Sequence, residues 1–382
     1  MLFETQSKSG YPIFFIFVIL LSALITRLTD WRLQALLVLG LILGASFNYF
    51  QFGFTRAWYD LVVKGKTEGV RSHFLVIGLG SLIMTPFLIL GDFGGIDLQG
   101  LVRPIAVSGV LGAFIFGVGM QLAGSCSSGT LVKLGQFYPL SIITFICLFI
   151  GGLTGAYLFE YWMALPMIAP ISFTLELGYL GLVINLLLVG LVYYALLIWD
   201  KESRDQSVGL IYRQVLKDPS FNNPRFLITV LIIALSSLGV LLVSGQPWSI
   251  ASVFTLWSLK FSELIGIDLG WEFWDVSTLY GTRMANPFLD DPITLTTLGF
   301  ILGAILITLL GKRESERPWP SCKLILYSII GGLLMGFGAT ISFGCNIGAF
   351  LSGIMSGSLH GWLWIFWAGL GNLVAIKWIL RP

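Results

Sequence analysis

Long runs of apolar side chains recur along this chain, separated by shorter stretches where charged and turn-forming residues collect. Stretches 12–25, 74–90, 137–159, 178–199 and 226–243 are nearly free of charge. Most approach the roughly 20 apolar residues that cross a bilayer as a helix. The pattern predicts ten spans, over 11–29, 33–51, 73–91, 104–124, 137–159, 178–199, 226–244, 294–311, 325–343 and 360–379. Two connections, 52–72 and 245–293, are too long and too apolar to be plain loops, and each is predicted to contain a short or re-entrant helix. The second carries Trp248, Trp257, Trp271 and Trp274, and over 268–291 an interfacial helix anchored by its indole rings is expected. No small-residue cleavage pattern precedes Arg27, so 11–29 reads as an uncleaved first helix. The expected fold is an all-α polytopic membrane protein in a lipid bilayer.

Composition narrows this further. Apolar residues make up 56% of the chain and charged residues 11%, against about 25% charged in an ordinary soluble domain. Mean hydropathy is +0.88. The net charge is only +2 and the basic residues are scattered, so no nucleic-acid partner is indicated. On the ten-span reading, 17 of the 22 basic residues fall in the segments on the side holding both termini. The remainder are Arg27, Arg32, Arg103, Lys260 and Arg283. Positive charge is retained on the cytoplasmic side, so both termini are expected in the cytoplasm.

A duplication then organises the spans. Residues 112–129, GAFIFGVGMQLAGSCSSG, align with 331–348, GGLLMGFGATISFGCNIG. The pairs Gly112/Gly331, Gly117/Gly336, Gly119/Gly338, Cys126/Cys345 and Gly129/Gly348 coincide. The expected organisation is a first repeat over 33–160 and a second over 226–382. Residues 161–225 lie between them, with one helix at 178–199 and a charged linker at 200–225, and 1–32 supply an additional N-terminal span. The single intervening helix makes the repeats inverted, related by a pseudo-two-fold axis in the membrane plane.

Both copies end an apolar helix at a cluster of small residues around a cysteine, then begin a new helical stretch. Non-helical backbone at membrane depth is tolerated only where protein buries it or a cavity adjoins it. A restarting helix offers free N–H groups and the positive end of its dipole to an anion. Ser125, Ser127, Ser128, Thr130 and Asn346 add donors, while Gly124 and Gly344 shape the turns. The thiols of Cys126 and Cys345 are weak, polarizable donors suited to a soft sulfur or selenium anion. Gln121, polar near mid-span, is a candidate for the pathway. Lys133 is either a positive charge at the cytoplasmic mouth or a snorkelling side chain, and His73 and His360 are weaker candidates. Cys147 and Cys322 read as packing or bystander residues. No cysteine spacing suits a metal, so neither a metal nor another cofactor is expected.

The segments GVGMQLAGSCSSGT and GFGATISFGCNIGAFL resemble the two signature segments of the YeeE/YedE sulfur-transport family, over about residues 36–380. The resemblance implies an hourglass of transmembrane helices in a bacterial inner membrane, with short re-entrant helices meeting at its centre. It further implies three cysteines that pass thiosulfate inward through thiol hydrogen bonds, with Cys126 and Cys345 on two of the positions. Gly53 stands where the family carries the third. A small cytosolic sulfurtransferase of the TusA type is the partner class it implies. Two functions follow: a permease importing a small sulfur-containing anion such as thiosulfate, or a membrane thiol enzyme or sulfur relay using Cys126 and Cys345 covalently. The chain carries no G-x-x-x-x-G-K-[ST] motif, so ATP hydrolysis is not expected.

Overall fold

The computed structural model describes residues 22–23, 26–28, 30–200, 224–266, 283–311 and 320–380. Among these, nine helices are long and apolar enough to cross a membrane, and the chain is a multi-pass all-α membrane protein. The nine correspond to the second through tenth spans expected from the sequence. The first expected span, 11–29, lies largely outside the described residues, as do 201–223 of the linker and Trp271 and Trp274 of the interfacial segment.

The first half runs α1 (Trp31–Phe50), α2 (Phe54–Tyr59, wound on as a wider turn through Asp60–Lys64), α3 (Glu68–Leu90), α4 (Val107–Leu122), α5 (Ser127–Gly135) and α6 (Pro139–Tyr157). After α7 (Tyr179–Trp199), the second half repeats the order. It runs α8 (Pro224–Ser244), α9 (Ala251–Leu264), α10 (Pro292–Leu310), α11 (Cys322–Ile341), α12 (Asn346–Met355) and α13 (Leu359–Val374). Both connections expected to hold a short helix do so, as α2 and α9. Local chemistry sets the starts: Asp291 caps α10 by accepting from the Thr294 amide at 2.7 Å, and Pro292 follows at the first helical position.

The two halves interlock rather than sit side by side. α1 packs along α10 as α8 packs along α3, and α4 packs against α13 as α11 packs against α6. At the centre α4 crosses α11 through the duplicated glycines. A methyl group on Gly112 would stand 2.7 Å from the Gly338 carbonyl oxygen, and one on Gly338 would stand 2.6 Å from that of Gly112. Gly119 and Gly331 make the same reciprocal approach, at 2.7 and 2.6 Å. Position for position, the first duplicated glycine of each helix meets the last of the other, as a two-fold relation requires. Only residues without a Cβ allow backbones this close, the means by which membrane helices associate without a hydrophobic driving force.

The core joins both halves. Trp248 is fully enclosed and packs edge-on to Phe47 and tilted against Phe300, so it takes no part in an interfacial belt. On α7, Leu180, Val183, Leu187 and Leu191 are exposed along one face, the surface a lipid-facing helix presents. Its opposite face docks on α3, where Asn185 donates to the Ser81 hydroxyl at 3.0 Å. Asp200 meets Arg71 at 3.2 Å and Thr67 at 2.9 Å. Cys147 is buried against Gly332, consistent with packing.

Candidate functional site

Each copy of the duplicated segment breaks its helix in the same way. After α4 the backbone turns left-handed at Gly124 (φ 63°), and after α11 it does so at Phe343 (φ 57°). These positions are equivalent in the duplication. The expectation that a glycine makes each turn therefore holds only in the first copy. In the second, Phe343 adopts a conformation that costs a non-glycine residue of order 1–3 kcal/mol, held edge-on to Trp162 with centroids 5.6 Å apart. Gly344 serves instead for close approach, since a methyl there would stand 2.8 Å from the Ala349 amide nitrogen.

The helices restart immediately after the thiols. Cys126 is the N-cap of α5, its sulfur accepting from the Gly129 amide at 3.3 Å and lying 3.3 Å from the Ser128 hydroxyl. Cys345 is the N-cap of α12, with the amides of Ile347, Gly348 and Ala251 around its sulfur. Both residues are 1% exposed and belong to one buried cluster. α5 touches α12, and the two cysteines are close enough to interact electrostatically. All four cysteines are free thiols. The first capping bonds come from the Thr130 amide to the Cys126 carbonyl and from the Ala349 amide to the Cys345 carbonyl. The amides ahead of them belong to the set that has no intrahelical partner at any helix start, and the thiols take up part of that set, as the Gly129 amide shows.

The residue after each thiol is the most informative. Ser127 and Asn346 occupy equivalent positions, and each is 1% exposed. The Ser127 hydroxyl and both polar atoms of the Asn346 amide have no hydrogen-bond partner among the described residues. Buried polar groups are nearly always paired. These two orphans stand at matched positions, each beside a thiol at a helix N-terminus.

The other expected residues are more constrained. Ser125 and Thr130 pair their hydroxyls at 2.9 Å, which braces the first turn. Lys133 reaches back to donate to the Gly124 carbonyl at 2.7 Å, tying down the end of α5 where the sequence left two roles open. Gln121 donates to Thr55 at 3.1 Å and to Asn372 at 2.8 Å, so it clamps α4 to α2 and α13. Gly53 begins α2 in extended backbone, where a Cβ would meet only the Gln51 carbonyl oxygen at 3.9 Å. It borders an open cleft of about 590 Å³ that also reaches Arg56, Ser72 and His73. His73 is buried and stacked on Phe54, and His360 is bonded to the Ser342 carbonyl at 3.0 Å.

A second, smaller cavity of about 50 Å³ lies against the Phe343–Gly344 turn and is lined by Arg103, Ser249 and Thr340, among others. None of these three was singled out from the sequence. Arg103 carried one available signal, as the sole basic residue between Arg71 and Lys133 and one of few on the charge-poor side.

A family model described as "Sulphur transport" matches residues 51–374. A protein named "Thiosulfate transporter TsuA", from Spirochaeta thermophila, is 26% identical over 362 residues, which cover 90% of this chain and 98% of that one. "Probable transporter YedE" of Escherichia coli and its namesake in Salmonella typhimurium are each 28% identical over 141 residues. That match spans 37% of this chain and about a third, 34%, of either relative's length.

Proposed function

This chain belongs to the sulphur-transport family, and from that premise we propose that it imports thiosulfate or a closely related sulfur anion through the passage between Cys126 and Cys345. It is a membrane transporter rather than an enzyme. The proposal divides it into the repeats 33–160 and 226–382 around the helix and linker at 161–225, with an extra N-terminal span. It places the protein in the bacterial inner membrane with both termini in the cytoplasm, as the bias of its basic residues favours. A TusA-like sulfurtransferase receiving the sulfur on that side is the partner class that fits.

One observation carries the reading: the matched, buried and unpartnered Ser127 and Asn346 beside two free thiols. An anion leaving water for the protein interior must regain its hydrogen bonds. Two helix N-termini, two thiols, a hydroxyl and an amide supply them from opposite sides without a fixed positive charge. That is suited to passage, since a conducting site must bind well enough to admit its ion and weakly enough to release it. Gly124 and Ser125 hold the first turn that aims these donors, and Gly344 lets the second pack closely on the first turn of α12. Gln121 positions α4, and Gly53 widens the exit.

The test is uptake of radiolabelled thiosulfate into proteoliposomes by Cys126→Ala, Cys345→Ala and the double variant. A hydrogen bond to a charged group contributes about 1.5–3 kcal/mol, so each single loss is expected to slow uptake by about 10- to 100-fold. Elution as a single folded species would accompany that loss. Undiminished uptake by the double variant refutes the proposed passage.

A further inference from the structure

Between the thiols and the cleft at Gly53 stands a layer of rings that includes His73. On one side of it, Phe350 follows Cys345 on α12 and shares its buried cluster. On the other, Phe52, Gly53 and His73 border the cleft of about 590 Å³. His73, on α3, is stacked on Phe54 with centroids 4.3 Å apart, and stands edge-on to Phe52 at 4.9 Å and to Phe350 at 6.3 Å. Phe54 in turn meets Phe350 edge-on at 6.2 Å. The layer thus runs from the helix that Cys345 caps to the wall of the cleft.

Those rings hold the imidazole without using its nitrogens. His73 is 1% exposed, and its Nδ1 is buried with no hydrogen-bond partner among the described residues. No hydrogen bond to Nε2 forms among them either. The other histidine differs, since the Nε2 of His360 is bonded to the Ser342 carbonyl at 3.0 Å. A bond at one ring nitrogen decides which of the two carries the proton. His73, bonded at neither, can present its N–H at Nδ1. A phenyl ring would fill the same aromatic box, so packing alone does not call for a buried, unpaired nitrogen there.

We propose that His73 is the inner binding residue of the passage, donating its Nδ1–H to the sulfur anion as it leaves Cys126 and Cys345 for the cleft. This rests on the transport reading above. Like the two half-sites, a neutral imidazole offers a hydrogen bond without a fixed charge, so it receives the ion without holding it tightly. The Phe54 ring covers one face of the imidazole and has to turn aside for the ion to pass. The crossing from thiol to cleft thereby includes a donor where the surrounding rings offer none.

Two substitutions separate binding from packing, both compared with the wild type for thiosulfate uptake into proteoliposomes. His73→Phe keeps an aromatic ring in the box and removes both nitrogens, while His73→Asn restores a donor close to Nδ1. A hydrogen bond to a charged group is worth about 10- to 100-fold. His73→Phe is expected to slow uptake by that factor, with a melting temperature at or above that of the wild type. His73→Asn is expected to recover part of the rate. Wild-type uptake by His73→Phe overturns the proposal, and so does a His73→Asn protein no faster than His73→Phe. A wild type that moves no thiosulfate defeats the transport reading instead. In that case, or where a variant does not fold, nuclear magnetic resonance of the solubilised wild type with isotopically labelled histidine decides. The chain has only two histidines, so a substitution at either one assigns the signals. Thiosulfate is expected to shift the ring-nitrogen signals of His73, and their indifference to saturating thiosulfate overturns the proposal.

Discussion

Replacing Asn346 with leucine separates a ligand-binding residue from a structural one, because the two roles predict opposite signs. Asn346 is 1% exposed, and both its amide oxygen and nitrogen lack a partner among the described residues. Each buried unsatisfied group costs about 1–3 kcal/mol. Leucine keeps the branched shape and the number of heavy atoms while removing both polar groups, so Asn346→Leu should stabilise the ligand-free protein. Unfolding entropy grows with length, and for this chain 1 kcal/mol corresponds to about 1 °C. The expected rise in melting temperature is therefore about 2–6 °C. Thiosulfate at a hundred times its Kd should add about 2.7 kcal/mol, or 2–3 °C, to the wild type. It should add nothing to the variant, whose uptake should collapse. Tryptophan-fluorescence melting of the detergent-solubilised protein, with and without thiosulfate, reads both effects. A variant that melts lower than the wild type yet still gains stability from thiosulfate would show that the side chain packs rather than binds.

Two further substitutions test the scaffold. Gly112→Ala places a methyl 2.7 Å from the Gly338 carbonyl oxygen and should destabilise by about 1–3 kcal/mol or more. Gly338→Ala should do the same at the other side of that contact, and the double variant should cost less than the sum; additive melting shifts would argue against a shared crossing. Gly53→Cys should leave melting unchanged, because its backbone is extended and its surroundings are open. It should also change the uptake rate, and a large loss of stability would show that position 53 is packed.

Much of this fold is written in the apolar runs, because a span must satisfy its own backbone and therefore announces itself by length. The glycine spacing carried more: Gly112, Gly119, Gly331 and Gly338 imply the central crossing because only glycine permits it. What the sequence did not carry is pairing. Nothing local in AGSCSSGT states that the Ser125 hydroxyl is spent on Thr130 while that of Ser127 is not. Gln121 reads as a pathway residue by polarity alone, yet its partners Thr55 and Asn372 lie in other helices. The pairing of Arg283 with Asp291 is equally relational, and nothing local to either residue announces it.

The departures from two-fold matching fall where a ligand would experience them. The crossing itself is reciprocal: Gly117 meets the Ala368 carbonyl as Gly336 meets that of Leu148. At the break the copies diverge. Gly124 corresponds to Phe343, Ser127 to Asn346, and Gln121 to Thr340, whose hydroxyl contacts that of Thr255 at 3.1 Å. A perfectly matched pair of half-sites would present the same donors to an ion arriving from either side and give it no preferred direction of bonding. Among the described residues the Ser127 hydroxyl is unpartnered beside Cys126 and both polar atoms of Asn346 are unpartnered beside Cys345, so the second half-site has more unspent polar atoms for an arriving ion. It also lies next to the cavity against the Phe343–Gly344 turn. On the proposed reading, an ion that passes from the richer half-site to the sparser one is held less tightly at the second. No single group then has to hold the ion tightly.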